Sequence, residues 1–271
     1  MKTVRTKNEL RRVLAPLRPG KQIGLVPTMG AFHDGHLALF RAARSECDTV
    51  VCSLFVNPEQ FGEGEDLARY PRDEERDLEL AAETGVAVVF APSVEEMYPP
   101  EFQTFVEVEE LSQELEGALR PGHFRGVATV CLKLFEIVRP NRAYFGTKDA
   151  QQLAVVSRMV RDLDLDLELE IRAVETVRDG DGLALSSRNA YLSPSEHEAA
   201  LALPRALARG QEAYREGGDA VQAAWAVLAE EPHLSVQYVE VADLEGLRLL
   251  AAVAVGSTRL IDNVTLEGGT T

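Results

Sequence analysis

Apolar positions along the chain fall into two alternating rhythms. Continuous β-rich runs at Gln22 to Val26 (QIGLV), Thr49 to Val56 (TVVCSLFV), Val86 to Phe90, Ala143 to Phe145 and Leu167 to Val174 predict strands, several of them buried on both faces. Between them, apolar residues return at helical spacing. Leu37, Phe40 and Ala43 predict a helix over His36 to Cys47, a second runs from Asp73 to Thr84 and stops at Gly85, a third carries Val127, Val130, Leu134 and Val138, and a fourth covers Ala150 to Leu163. Thr6 followed by Glu9 is a capping-box signature for a short first helix that Pro16 stops, and Thr104 to Val108 predicts one more strand. Strands alternating with helices predict an α/β fold: a Rossmann-like, doubly wound, mainly parallel sheet over residues 1–175.

The rhythm changes after residue 175. A Gly- and Ser-rich segment, Arg178 to Asn189, leads to Ser193-Pro194-Ser195-Glu196, which combines an N-cap, a proline at the first helical position and a capping-box glutamate. Pro204 is expected to kink or divide the helix that follows. A helix over Asp219 to Ala229 and β-like runs at Ser235 to Val241, Leu249 to Val255 and Thr258 to Ile261 then predict a small C-terminal α+β domain over residues 176–271, its strands antiparallel.

The chemistry-bearing residues concentrate in the loops. Pro27 to His36 reads PTMGAFHDGH and lies between a predicted strand and a predicted helix. There the N–H groups of the helix's first turn and the positive end of its dipole favour an anion. Gly30 and Gly35 allow close backbone approach, and His33 and His36 add two imidazoles suited to stabilising charge on a phosphate. Zinc binding by the two histidines is disfavoured, because no cysteine lies nearby and no third ligand clusters with them. Asn57 to Gly62 (NPEQFG) likewise follows a strand, and Gly146-Thr147-Lys148-Asp149 repeats the strand, turn, helix pattern with a lysine at the turn.

The 271 residues carry 28 Lys and Arg against 44 Asp and Glu, a net charge of −16, which argues against a nucleic-acid partner. A small anionic substrate remains compatible with a few local cations such as Lys148 and Arg188. Cys47, Cys52 and Cys131 have no Cys-x-x-Cys spacing and are expected to be reduced core thiols. Without a leader-like apolar segment or a membrane-length run, the chain is expected to be cytoplasmic and not membrane-bound.

Four stretches in order, PTMGAFHDGH, NPEQFG, FGTKDAQQ and DGLALSSRN, with YPR and RPGHFRGV between them, resemble the pantothenate synthetases, the pantoate:β-alanine ligases of the nucleotidyltransferase superfamily. The resemblance extends over nearly the whole chain. It implies ATP-dependent condensation of pantoate with β-alanine to pantothenate, AMP and pyrophosphate through a pantoyl adenylate. It further implies that Met29, Gly30, Ala31, Phe32, His33, Asp34, Gly35 and His36 form the first ATP-binding segment, with His33 and His36 near the α- and β-phosphates. Gly146, Thr147, Lys148 and Asp149 correspond to a second segment, with Lys148 on the phosphates. Val177 lines the adenine side, and Leu185, Ser186, Ser187 and Arg188 form a third segment whose serines and arginine bind phosphate oxygens. His36, His33, Lys148 and Arg188 are thus the expected catalytic groups.

Gln60 and Gln152, with Asn57 beside them, correspond to the pantoate site. Mg²⁺ is expected to accompany ATP without an assigned protein ligand, and a homodimer is implied. Asp77 matches an acidic family position but reads by default as a helix-surface carboxylate. Thr147, Ala150 and Leu185 depart from the family's usual residues. The competing readings are an adenylyltransferase with another acceptor, a tRNA synthetase, which the length and acidity disfavour, and a nucleotide-binding regulatory module without catalysis.

Overall fold

Lys2–Val4 (β1) is too short to register in the hydrophobic pattern, since only Val4 of its three residues is buried. It nevertheless forms the edge of the main sheet in the computed structural model, which describes residues 1–267. The remaining strands of that sheet are Ile23–Thr28 (β2), Thr49–Leu54 (β3), Val88–Phe90 (β4), Arg142–Gly146 (β5) and Glu170–Val174 (β6), in spatial order β1-β4-β3-β2-β5-β6. Every pairing between neighbours in it is parallel, so the doubly wound, mainly parallel expectation holds. The order reverses between β2 and β5, which places the topological switch point there, where open α/β sheets bind ligands. Met29–His33 follow β2 in the chain and Thr147–Asp149 follow β5.

Alternate residues of the strands feed two separate cores. Leu25, Val51, Val88, Ala143 and Phe145 face Leu10 and Leu14 of Lys7–Leu14 (α1), Val127 and Leu134 of His123–Val138 (α6), and Val156 and Met159 of Ala150–Asp162 (α7). On the other face Val26, Val50, Cys52, Val89 and Tyr144 meet Leu37 and Phe40 of Asp34–Glu46 (α2) and Ala81 of Glu74–Glu83 (α3). The Thr6 capping box forms as expected, and Asp73 caps α3. Val94–Met97 (α4) and Glu116–Leu119 (α5) are single turns without a legible periodicity. All three cysteines are buried and free.

Thr104–Val108 is not a strand. The Val106 N–H donates to Thr129 Oγ1 at 3.0 Å, so the segment is tied to a side chain of α6 rather than to a ladder. Phe105 is occupied by the Arg125 guanidinium, 3.7 Å from its ring centroid.

The chain forms two compact units. One comprises Met1–Gly146 with Gln151–Val174, and the other Thr147–Ala150 with the chain from Glu175 onward. In the second, Leu234–Asp243 (β7), Leu247–Val255 (β8) and Thr258–Thr265 (β9) form an antiparallel sheet in that order. The helices Pro194–Ala200 (α8), Ala202–Arg215 (α9) and Ala220–Ala229 (α10) share its core through Ala200, Leu203, Leu207 and Ala224. Pro204 divides the helix as expected, but the break falls at Leu201. This leaves Pro204 in the first turn of α9, where its missing N–H is tolerated. Among the described residues no helix is long and apolar enough to cross a membrane.

Candidate active site

The turn after β2 is set by two consecutive residues in the left-handed region, Gly30 at φ 89° and Ala31 at φ 52°. A Cβ on Gly30 would lie 2.8 Å from Asp77 Oδ2 and 2.9 Å from Leu54 Cδ1, so only glycine fits. Ala31 has no such exemption. Its peptide is held from α3, where Asp77 Oδ2 accepts from the Ala31 N–H at 2.8 Å and Oδ1 from the Phe32 N–H at 2.7 Å. Asp77 is only 2% exposed, so it is not the helix-surface carboxylate expected from its position. Burial pushes its carboxyl above the ordinary aspartate range, and that effect outweighs the pull of the two N–H groups.

The helix begins two residues earlier than its apolar spacing predicts, because His33 is its N-cap. His33 Nδ1 accepts from the Gly35 N–H at 3.2 Å, and His36 Nδ1 accepts from the His33 N–H at 3.3 Å, a capping box built from two imidazoles. Within the first turn the Gly35 N–H is taken by the His33 ring nitrogen and the His36 N–H by the His33 carbonyl at 2.8 Å. Ahead of the helix, the His33 N–H is taken by the His36 ring and those of Ala31 and Phe32 by Asp77. A ring nitrogen that accepts carries no proton, so the N–H of each neutral imidazole is on Nε2. The ring centroids lie 4.2 Å apart. Asp34, in the same first turn, carries the only acidic side chain there.

A second cluster in the same unit surrounds Gln60. Asn57 is 1% exposed and its amide is fully engaged: Nδ2 donates to Gln60 Oε1 and to the Gly126 carbonyl, both at 3.1 Å, while Oδ1 accepts from Tyr98 Oη at 2.9 Å and from the Glu59 N–H at 3.3 Å. Asn57 therefore orients Gln60, whose Nε2 lies 3.1 Å from Met29 Sδ. The Gln60 carbonyl accepts from His123 Nδ1 at 2.8 Å and from Arg120 Nη2 at 3.3 Å. Arg120 also donates to His123 Nε2 at 3.1 Å and pairs with Glu65 at 2.6 Å. Burial, reinforced by the Arg120 charge, pushes the His123 imidazole down to about 4. Of the two adjacent glutamines in FGTKDAQQ, Gln151 is buried and bound to Leu111, Glu114 and Glu116, whereas Gln152 is half-buried.

In the second unit Thr147–Asp149 form a 3-10 turn ahead of α7, with Lys148 Nζ 3.7 Å from Asp149 Oδ1. Gly146, the last residue of β5, belongs to the first unit. The Thr147 hydroxyl meets Thr176 Oγ1 at 3.1 Å, and Ala150 is buried. The segment from Val177 to Leu185 closes into a hairpin: the Leu185 N–H donates to the Val177 carbonyl at 3.0 Å, and Arg178 bridges Ala184. Ser186 then caps the 3-10 helix Ser187–Tyr191 by accepting from the Arg188 N–H at 3.3 Å. Among the described residues no group of three or more His, Cys, Asp or Glu is arranged to hold a metal ion.

A parallel sheet with its switch point beside a histidine-capped helix defines the class: an open, doubly wound α/β protein, a kind of fold that binds its ligands at the strand ends. The chain belongs to the pantoate-beta-alanine ligase family, whose model matches residues 2–265. It is 51% identical to the pantothenate synthetase of Moorella thermoacetica, over 98% of this chain and 99% of that protein. The crystal structure of pantothenate synthetase from Thermus thermophilus superposes with a TM-score of 0.93 at 50% identity, covering 98% of this chain and 99% of the other. That of pantoate-beta-alanine ligase from Francisella tularensis, complexed with beta-gamma ATP and beta-alanine, gives a TM-score of 0.85 at 33% identity with both chains fully covered.

Proposed function

We propose that the chain condenses pantoate with β-alanine at the expense of ATP, through pantoyl adenylate, releasing pyrophosphate in the first step and AMP in the second. The observation that carries this reading is the pair of capping imidazoles. Each is held at Nδ1 by a backbone N–H at the positive end of α2, so the two rings are oriented before charge develops on the phosphates. In this reading Met29 to His36 cradle the nucleotide, and His33 and His36 follow the charge as the pantoate carboxylate attacks the α-phosphate. Gly146 to Asp149, Val177 and Leu185 to Arg188 also bind nucleotide in this reading, with Lys148, Ser186, Ser187 and Arg188 on phosphate oxygens.

Gln60 and Gln152 hold pantoate, because a primary amide both donates and accepts and so matches a ligand with hydroxyls and a carboxylate. Asn57 serves by aiming Gln60. Mg²⁺ belongs to this reading as the companion of ATP, bound largely by nucleotide and water oxygens and neutralising phosphate charge. Asp77 is not assigned to it: its two oxygens each hold one backbone N–H, of Ala31 and of Phe32. The same reading divides the chain into a nucleotide- and pantoate-binding domain over 1–175 and a smaller domain over 176–271. It takes the enzyme to be a cytoplasmic homodimer without a nucleic-acid or membrane partner. Pantoate and Mg-ATP alone should support exchange of labelled pyrophosphate into ATP, and β-alanine should then release AMP with amide formation. Exchange that requires β-alanine, or ADP as product, would refute the adenylate.

A further inference from the structure

Lys148 is tied to a strand more than a hundred residues away in the chain. Asn263 in β9 is 5% exposed, and its Nδ2 donates to the Thr147 carbonyl and to the Lys148 carbonyl, each at 2.9 Å. Its Oδ1 accepts from Arg248 Nη1 at 2.8 Å, which fixes the amide's orientation. The two carbonyls belong to the peptide planes on either side of the Lys148 Cα. Because φ and ψ are the only soft backbone dihedrals of a residue, holding both planes sets the direction in which the lysine leaves the chain.

The preceding residue does the same for the hairpin. Asp262 accepts from Arg178 Nη1 at 2.5 Å and from Arg178 Nη2 at 3.0 Å, and Arg178 Nη1 also donates to the Gly182 carbonyl at 3.1 Å. Asp262 Oδ1 accepts from the Asn263 N–H at 2.8 Å as well, so the two anchors are themselves linked. One two-residue step of β9 thus holds the base of the Lys148 turn and the base of the segment that leads to Ser186 and Arg188. This accounts for the grouping of Thr147–Ala150 with the second unit rather than with the strand they follow.

We infer that Asp262 and Asn263 are positioning residues that set Lys148 and the Ser186–Arg188 segment in one frame for the departing pyrophosphate. The inference rests on the phosphate-binding roles proposed above. It separates the two half-reactions, because only adenylation needs a grip on pyrophosphate.

The test compares Asn263→Ala and the isosteric Asn263→Asp with wild type, after circular dichroism and thermal unfolding have shown that each variant is folded. Asn263→Asp keeps the acceptor for Arg248 and loses both donations. In pantoate-dependent ATP–pyrophosphate exchange, both variants should raise KM for ATP about 10-fold or more, a modest share of the roughly 100-fold that an ångström of misplacement can cost. The reaction of added pantoyl adenylate with β-alanine should stay within about 2-fold of wild type, since a positioned-group effect is confined to the step that uses the group. Asn263→Ala placed on Lys148→Ala should add little to the loss from Lys148→Ala alone, as expected for residues acting through one group. Equal losses in both half-reactions, unchanged KM for ATP, or additivity with Lys148→Ala would overturn the inference. Wild-type enzyme without exchange activity would instead overturn the ligase reading and this inference with it.

Discussion

Replacing Asp77 tests whether the turn after β2 is set from α3. Its carboxylate accepts from two adjacent backbone N–H groups at 2.8 and 2.7 Å, one of them on Ala31, whose φ of 52° is unfavourable for a residue with a Cβ. Asp77→Ala leaves both donors without that acceptor in a buried place. Each orphaned donor costs about 1–3 kcal/mol, and removal of a desolvated carboxylate returns part of that sum. The net expectation is a loss of about 3 kcal/mol in unfolding free energy. Asp77→Asn keeps one acceptor but turns an amide N–H₂ toward the other donor, and should cost about half as much.

The functional consequence follows from the next residues in the chain. Once Ala31 and Phe32 are released, the His33 cap is no longer approached from a fixed direction, and a shift of about 1 Å at the imidazoles would slow adenylation about 100-fold. Urea unfolding gives the first quantity, and pyrophosphate exchange at saturating ATP and pantoate gives the second. An Asp77→Ala variant within about 0.5 kcal/mol of wild type, with exchange within about 3-fold, would show that the turn holds itself and that the carboxylate is incidental.

Three further outcomes are expected. His36→Ala should slow single-turnover adenylation by about 10²- to 10³-fold, the usual cost of one preorganised donor, and a near-normal rate would remove His36 from the chemistry. Asn57→Ala should raise KM for pantoate about 10-fold while leaving KM for ATP unchanged, because Asn57 acts by orienting Gln60; steady-state kinetics in each substrate will decide it. His123 has a folded-state value depressed from 6.5 to about 4, so its contribution to stability is intact above pH 6.5 and is lost as pH falls toward 4, by up to roughly 3 kcal/mol. Urea midpoints measured from pH 7 to pH 4 should show this slope, and a His123→Asn variant with an equally steep slope would assign it elsewhere.

What the sequence disclosed followed the range of the interactions concerned. Thr49–Leu54 and the Ser193 capping box were legible because strand burial and helix caps are written in neighbouring residues. Thr104–Val108 misled for the same reason: β-branched residues favour an extended backbone, but they do not say whether a ladder or a helix side chain will receive it. Asp77 and Asn263 were illegible as supports, since their partners lie 46 and 116 positions away and no local pattern marks them. Gln151 and Gln152 differ in which way the first turn of α7 points them, Gln151 inward to Leu111, Glu114 and Glu116 and Gln152 half-buried, and no local pattern separates the two.

The spacing of His33 and His36 was legible as a motif, but its reason emerges only from the cap. An ordinary N-cap serine or aspartate satisfies a helix's first N–H groups and ends there. An imidazole in that position accepts at Nδ1 and still donates at Nε2, so it caps the helix and projects a donor beyond it. A reciprocal capping box needs its partner at the third helical position, which is where His36 stands, and a second imidazole there repeats the same exchange. Of the two residues between them, Asp34 and Gly35, the second must be small. A Cβ on Gly35 would lie 2.9 Å from His33 Cε1 and would push the ring off the N–H that fixes it. The His-x-Gly-His spacing is then a requirement of helix capping as much as of the phosphate binding proposed for it, and any substitution that restores the cap without restoring Nε2–H should recover stability and leave adenylation impaired.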